Sequence, residues 1–397
     1  MKSSYLTVPF IEQLMQAHAP EQHIRVLAVN PLPVDNSASI LVALTAGSST
    51  KPIGHFGLDV QYTVNGKAEQ RRMVLKVKPH GDEIVAMLNM LAQACGGELA
   101  AIYPKYKSLT GFQHTHMREL EVYGKLPHTL APIIYGLQAD PEQDLYLILM
   151  EYLADVELLN TAMAPEQWTD QHIRTALEQT AEWHAAHLNK TLPVDKRYWA
   201  DAPSKAYMVA LQPLWQALLQ NAQDHFPELY TTERVALLEE AIQQIPIYWD
   251  ELARMPITLV HNDLNPRNTC FKREGDTLKF CVYDWELATW HVPQYDVLEL
   301  LTFVLDEHTA ALREEYLEFY REALHKRTGL FADREQFYRG FTLAAFDFGL
   351  HRLGMYIMAH TVSPYPFLPR VVNSYFLTLE QFQAGRSLPN KAYLADS

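Results

Sequence analysis

Residues 259–271 read LVHNDLNPRNTCF. Between positions 261 and 268 stand His261, Asp263 and three asparagines, Asn262, Asn265 and Asn268, with apolar residues on either side. A stretch this polar is either a solvated turn or a place where chemistry is done. A lone Asp in a turn is ordinarily a cap or an Asx-turn, so the neighbours decide. Upstream, PITLV (256–260) reads as a short strand. Downstream, LKFCVYDW (278–285) reads as another, ending in Asp284 with Glu286 two residues on. The pattern predicts a hairpin-like unit of strand, polar loop and strand, with acidic side chains at the loop and at the second strand's end.

Away from this unit the chain falls into two halves. Apolar residues recur at helical spacing over 166–188, 207–224, 231–254, 308–326 and 335–360. The first third alternates instead. HIRVLAVNPLP (23–33) and ILVALTAG (40–47) are β-rich runs around VDNSAS, and LDVQYTVNG and RRMVLKVKP form a hairpin about NGKAEQ. A helical region over 81–126 follows, with breaks expected near CGGE and Pro104. APIIYGLQADPEQDLYLILMEYL (131–153) then gives two strands about DPEQD. The predicted fold class is α+β, an antiparallel sheet with a packed helix followed by a helical body.

Composition excludes several function classes. With 397 residues, 48% of them hydrophobic, the chain can bury a large core and is long enough for more than one subdomain. Its 47 acidic and 33 basic residues give a formal charge of −14, which repels nucleic acid and anionic membrane. No nucleic-acid or membrane partner is expected, and the acidic balance tilts toward an amine-bearing or sugar-like ligand. The three cysteines, Cys95, Cys270 and Cys281, form no framework spacing and suit a reducing compartment. No signal peptide or membrane-spanning stretch is read, so a cytoplasmic location is expected.

The conjunction His261-x-Asp263-x-x-x-x-Asn268 followed by VYDWE (282–286) resembles the aminoglycoside phosphotransferase and choline kinase superfamily, relatives of protein kinases. That family's loop reads H-G/N-D-x-x-x-x-N, and its metal motif is a strand ending in D-W/F-E. The resemblance implies a protein-kinase-like two-lobe fold, with an N-lobe over 1–153 and a helical C-lobe over 154–397, including an insertion at about 190–256. It implies ATP and magnesium as cofactors. Phosphoryl transfer asks the protein mainly to aim an acceptor hydroxyl and to place cations on phosphate oxygens. In that scheme Asp263 accepts or orients the hydroxyl proton. Asn268 and Asp284 offer hard oxygen ligands to magnesium. His261 props the loop, and Glu286 either touches metal or braces the loop.

The same resemblance picks out upstream partners. In MVLKVKP (73–79), Met73, Leu75 and Val77 share one face of a strand and Val74, Lys76 and Lys78 the other. Val74 matches the residue that roofs the adenine, and Lys76 the phosphate-binding lysine, with Lys78 as its rival. MRELEVYGKL (117–126) matches the helix carrying the lysine's partner and selects Glu119, with Glu121 as the alternative. LILMEYLADVELL (147–159) resembles the inter-lobe hinge, whose backbone near Glu151 and Leu153 would meet the adenine edge. PVDNSASILV (33–42) stands where protein kinases have a Gly-rich loop, yet holds no glycine. Ser37 or Ser39 would donate to phosphate there, or the segment is a plain polar turn. Asp296, in PQYDVLELL, reads as an N-cap for a helix at 297–305.

The acceptor is less legible. Helices rich in Trp and Tyr over 190–256, and FDFGLHRLGMYIMAH (346–360) with Asp347, His351 and Arg352, either line a pocket or form a satisfied core network. The reading is a kinase acting on a hydroxyl of a small molecule that is aminoglycoside-, amino-alcohol- or sugar-like. The alternative is a catalytically inactive kinase-like protein that binds nucleotide or a partner. A protein kinase is disfavoured, since PQYD follows DWE too closely for an activation segment.

Overall fold

The computed structural model describes residues 5–34 and 52–383. Its first part is a five-stranded antiparallel sheet in the order β1-β2-β3-β5-β4. Helix α1 (Val8–His18) precedes β1 (Ile24–Leu32), β2 (Gly54–Val64) and β3 (Lys67–Val77). Helices α2 (Gly81–Cys95), α3 (Gly97–Tyr106) and α4 (Thr115–Lys125) lead to β4 (Ile134–Asp140) and β5 (Leu145–Glu151). The strand expected at 40–47, and Ser37 and Ser39 with it, lie outside the described residues.

The β2–β3 hairpin turns on Asn65 and Gly66, both at positive φ (52° and 83°), as a tight two-residue turn requires. Leu58, Val60, Met73, Leu75, Leu147 and Leu149 bury one face of the sheet against Ile11, Leu14 and Met15 of α1. Each such side chain stabilises by roughly 1.5–3 kcal/mol. Because strand side chains alternate, that register turns Val74, Lys76 and Lys78 to the opposite face, as expected from the sequence.

The helical region after β3 breaks at Gly96 and Gly97, which hold φ of 75° and 56°. Pro104 does not break it: the proline sits inside the last turn of α3, which runs on to Tyr106.

The rest is helical. It comprises α5 (Asp170–His187), α6 (Lys205–Ala210), α7 (Gln212–His225) and α8 (Thr232–Leu252). Short strands β6 (Thr258–Val260), β7 (Thr269–Glu274), β8 (Thr277–Val282) and β9 (Thr289–His291) come next. Helices α9 (Gln294–Val304), α10 (Arg313–Thr328), α11 (Arg334–Phe348), α12 (Gly354–Val362) and α13 (Leu368–Gln383) follow. The helix read over 207–224 is two helices, with Pro213 in the first turn of α7. This sheet-plus-helices arrangement is the α+β class anticipated. Among the described residues no helix is long and apolar enough to cross a membrane.

Two local features differ from expectation and both shape the site. The polar loop does not join the two strands of one hairpin. β6, before the loop, pairs with β9, while β7, after it, pairs with β8. The loop thus crosses between two ribbons and is anchored at each end by a different partner strand. The helix read over 335–360 is interrupted by a π-helical turn, Gly349–Leu353, between α11 and α12. Such turns are rare inside α-helices and frequent at functional sites. A Cβ on Gly349 would run into the Tyr375 hydroxyl, so only glycine admits α13 this closely.

Candidate active site

A cavity of about 590 Å³ opens between the sheet and the helical part. β3 supplies Val74 and Lys76 to its wall, and the end of β5 with the two residues after it supplies Met150 to Leu153. Val74 lies opposite Met150 in the β3–β5 ladder, and Lys76 opposite Ile148. The Glu151 N–H is already spent on the Ile133 carbonyl at 2.8 Å, and the Tyr152 N–H on Arg72. The next N–H of the hinge, that of Leu153, faces no recorded backbone partner among the described residues.

Lys76 reaches two carboxylates. Its Nζ lies 3.0 and 2.8 Å from the Glu119 oxygens and 2.6 Å from Asp284 Oδ1. Burial alone would lower the Lys76 pKa, but Asp284 and Glu119 outweigh it and raise it. Lys78 is no solvated edge residue. Its side chain is fully buried, pairs with Glu119, and stands 2.6 Å from Glu286. Of the two lysines only Lys76 lines the cavity. Glu121, the rival of Glu119, faces away and accepts from the Asp195 N–H at 2.7 Å.

The loop at 261–268 is held from below by α9. The Asp296 carboxylate accepts the backbone N–H groups of His261 (2.7 Å) and Asn262 (2.9 Å), and its Oδ2 also meets His184 at 3.0 Å. Asp296 is therefore not the N-cap expected from the sequence. The helix begins earlier, at Gln294, and places this residue in its first turn, where the side chain leaves its own helix to bind the loop. One turn on, Glu299 accepts from the Leu264 N–H at 3.1 Å and from Asn265 Nδ2 at 3.2 Å. Burial and the nearby Asp263 charge push its pKa up to about 8. His261 Nε2 donates to the Tyr283 carbonyl at 2.9 Å, the propping role expected of it. Asn262 holds φ of 62°, a conformation that Gly and Asn tolerate best; this explains why the motif takes either residue there.

Asp263 is the most heavily bonded carboxylate of the cavity. Its Oδ1 accepts from Arg352 (2.6 Å), from Asn265 (3.0 Å) and from the Tyr356 hydroxyl. Among the described residues its Oδ2 accepts only from Asn268 Nδ2, at 2.8 Å. Burial disfavours its charge, yet Arg352 and the Tyr356 hydroxyl prevail and hold its pKa below the usual carboxylate range. Asp284 sits at φ of 66°. Burial opposes its ionisation too, and Lys76 and Lys78 overcome it, so its pKa is strongly lowered. Glu119, Asp284 and Glu286 each bring one oxygen within 4.8 Å of the others. Lys76 and Lys78 offset two of these three negative charges, with Lys76 bonding both Glu119 and Asp284. Asp284, with the Asn268 amide oxygen left over by its Nδ2 bonds, is the donor set that suits a hard cation.

Sequence reasoning missed three residues here, Tyr356, Glu299 and His55. Of the three polar residues singled out on one helical stretch, Arg352 lines the cavity, beside Tyr356, while Asp347 and His351 do not. Those two belong to the core. Asp347 accepts from Tyr248, Trp249 and His291, and His351 Nε2 lies 3.1 Å from the Thr110 carbonyl. For Glu299 the available signal was a carboxylate inside an otherwise apolar helical run. His55, opposite Lys76 in the β2–β3 ladder and lining the cavity, gave none; burial and Lys76 lower its pKa to about 4.

Residues 51–331 match the model of the family described as "APH: Phosphotransferase enzyme family". The chain belongs to this phosphotransferase enzyme family. No curated protein matches the sequence significantly. Solved structures similar to this phosphotransferase include a Plasmodium vivax ethanolamine kinase, at 12% identity and TM-score 0.47, over 90% of this chain and 83% of that one. A choline kinase from Cryptosporidium parvum Iowa II gives 12% and 0.47, over 90% and 89%. A Streptomyces rimosus aminoglycoside phosphotransferase, solved with ADP and streptomycin, gives 12% and 0.39, over 78% and 99%. Likeness this distant says nothing of what the present phosphotransferase binds.

Proposed function

We propose that the protein transfers the γ-phosphoryl group of ATP to a hydroxyl of a small molecule, with magnesium, in the cytoplasm. The observation that carries this is that Asp263 and Asn268 share one cavity with Asp284 and with Lys76, which Glu119 holds from behind. In this reading the nucleotide-binding part extends to residue 153 and the helical part, from 154, carries the acceptor site. Val74 covers the adenine and the hinge backbone at Glu151 to Leu153 meets its edge. Lys76, held by Glu119, binds phosphate. Asn268 and Asp284 hold magnesium, which when bound neutralises phosphate charge as the transfer proceeds.

Asp263 orients the acceptor. Its Oδ1 is filled by three donors, so the hydroxyl has room on Oδ2. The acceptor oxygen forms a bond to the γ-phosphorus, the bond from that phosphorus to the β–γ bridging oxygen breaks, and ADP leaves. The hydroxyl proton passes to Asp263 and then to solvent. A carboxylate held ionised by Arg352 is ready for this at neutral pH.

The test is magnesium-dependent ADP release against pooled hydroxyl acceptors, with Asp263→Asn as control. Acceptor-dependent release that vanishes in Asp263→Asn while ATP still binds is expected. Nucleotide binding without acceptor-dependent release would favour an inactive, kinase-like binding protein.

A further inference from the structure

Beyond the nucleotide groups, the cavity has a second set of walls. β3 runs from Val74 at the hinge through Lys76 toward α2, which begins three residues after Lys78. α2 packs against α12. Ile84, Met87, Leu88 and Leu91 of α2 and Met355 and Ala359 of α12 line this end. The charged side chains that join them are Arg352 and Arg267. Arg352 spends Nη2 on Asp263 and Tyr356, while its Nε is buried with no partner among the described residues. Arg267 stacks 6.0 Å from the Tyr365 ring and 5.7 Å from the Phe367 ring. No carboxylate pairs with it among the described residues.

The acidity of the whole chain therefore does not reach this end of the cavity. The cavity's carboxylates are Glu151, paired with Lys272 at the hinge, Asp263, with one oxygen taken by three donors, and Asp284 and Glu286, each met by a lysine. A cationic acceptor would bring an ammonium group against Arg352 and Arg267, while Asp263 Oδ2 is taken by the hydroxyl to be phosphorylated. A buried guanidinium donor without a partner is costly unless a ligand completes it, and Arg is well suited to a planar carboxylate.

Resting on the phosphotransferase reading above, we infer that the acceptor is a hydroxy acid with an apolar body. Its body lies on α2 and α12, its carboxylate meets Arg352 and Arg267, and its hydroxyl faces Asp263 Oδ2. The products are a phosphate monoester of that acid, ADP and one proton.

The experiment uses sets of compounds that share a skeleton and differ in charge: hydroxyhexanoate, hexanediol and aminohexanol, and the aromatic set of hydroxymethylbenzoate, benzenedimethanol and aminomethylbenzyl alcohol. ADP release with magnesium-ATP is measured for each, and binding is measured separately by calorimetry with no nucleotide present. The acid of at least one set is expected to exceed its diol and its amine at least tenfold in kcat/KM and in affinity. In Arg267→Gln that preference for the acid over the diol falls about tenfold. A preference for the amine, or equality of acid and diol, overturns the inference. So does the failure of every acid to bind or react while another acceptor gives ADP release that Asp263→Asn abolishes; the phosphotransferase reading then stands without it. Tight, selective acid binding with no acceptor-dependent ADP release would sink the phosphotransferase reading instead, and leave the acid-binding site.

Discussion

Arg352 Nη2 donates to Asp263 Oδ1 at 2.6 Å, joining the π-helical turn before α12 to the loop at 261–268. Both partners are largely buried, so the contact is neither screened nor optional. Removing one partner of such a pair ordinarily costs about 3–5 kcal/mol, because the other charge is left without compensation.

Arg352→Gln follows from this contact. Asp263 is ionised against the pull of burial because Arg352 and Tyr356 hold it so. Without the guanidinium, burial wins and the carboxyl pKa rises. A group with a lowered pKa is active above it, so the acidic limb of the kcat/KM profile moves toward neutral pH. kcat near neutrality falls as well, because Asp263 loses one of the donors that aim it. A variant that only loosened the fold would lower the amplitude and leave the limb where it was.

Lys76 and Lys78 share Glu119 but should fail differently. Lys76→Met removes the cavity-lining cation and leaves Glu119 with Lys78. Turnover is expected to fall by roughly a thousandfold, of the order seen when a group that stabilises developing charge is removed, with a modest change in melting temperature. Lys78→Met leaves Glu286 buried without its partner. It is expected to lose about 3–5 kcal/mol in denaturant unfolding. Thermal and kinetic measurements on the two variants side by side separate the roles; the reverse pattern would make Lys78 the phosphate ligand.

What the sequence disclosed, and what it did not, has a physical basis. Strand alternation places side chains without knowledge of the partner, so the faces of β3 were legible, and Lys76 with them. Helical periodicity places Glu119 and Glu121 on different faces, and the structure separates them as that implies. Pairing across the chain carries no local mark. The strand before the polar loop gives no sign that it will pair with β9 in place of the strand after it. Asp296 reads as a cap because a cap is the commonest use of an Asp at a helix start. Its actual partners, the His261 and Asn262 N–H groups, lie 35 and 34 residues away. The π turn breaks the helical period, so the choice between pocket and core for Arg352 had no local mark.

Asp296→Asn tests that long-range brace. Asp296 is buried, and its two oxygens serve two loop N–H groups and His184. An amide offers one acceptor where there were two, which leaves a buried N–H unpaired at a cost of about 1–3 kcal/mol. The loop then loses its anchor at the residues just before Asp263. kcat should fall at least tenfold while the affinity for nucleotide, measured by calorimetry, stays within about twofold. Weakened nucleotide binding with an intact kcat would show that the loop does not depend on α9.

Glu299 gives the fold a measurable pH dependence. Burial first, and Asp263 second, raise its pKa from 4.5 to about 8. Between those values the folded protein keeps a proton that the unfolded chain has released. The contribution is thus whole below the unfolded pKa and is lost as pH rises through the folded one. Relative to Glu299→Gln, which titrates nothing at this position, the wild-type protein should lose roughly 2–4 kcal/mol of unfolding free energy from about pH 5 to about pH 8. Chemical denaturation of both proteins at matched pH isolates the term, because all other groups are shared. Curves that run parallel across this window would mean that Glu299 ionises normally in the fold, and that Asn265 and the Leu264 N–H bind a carboxylate anion there.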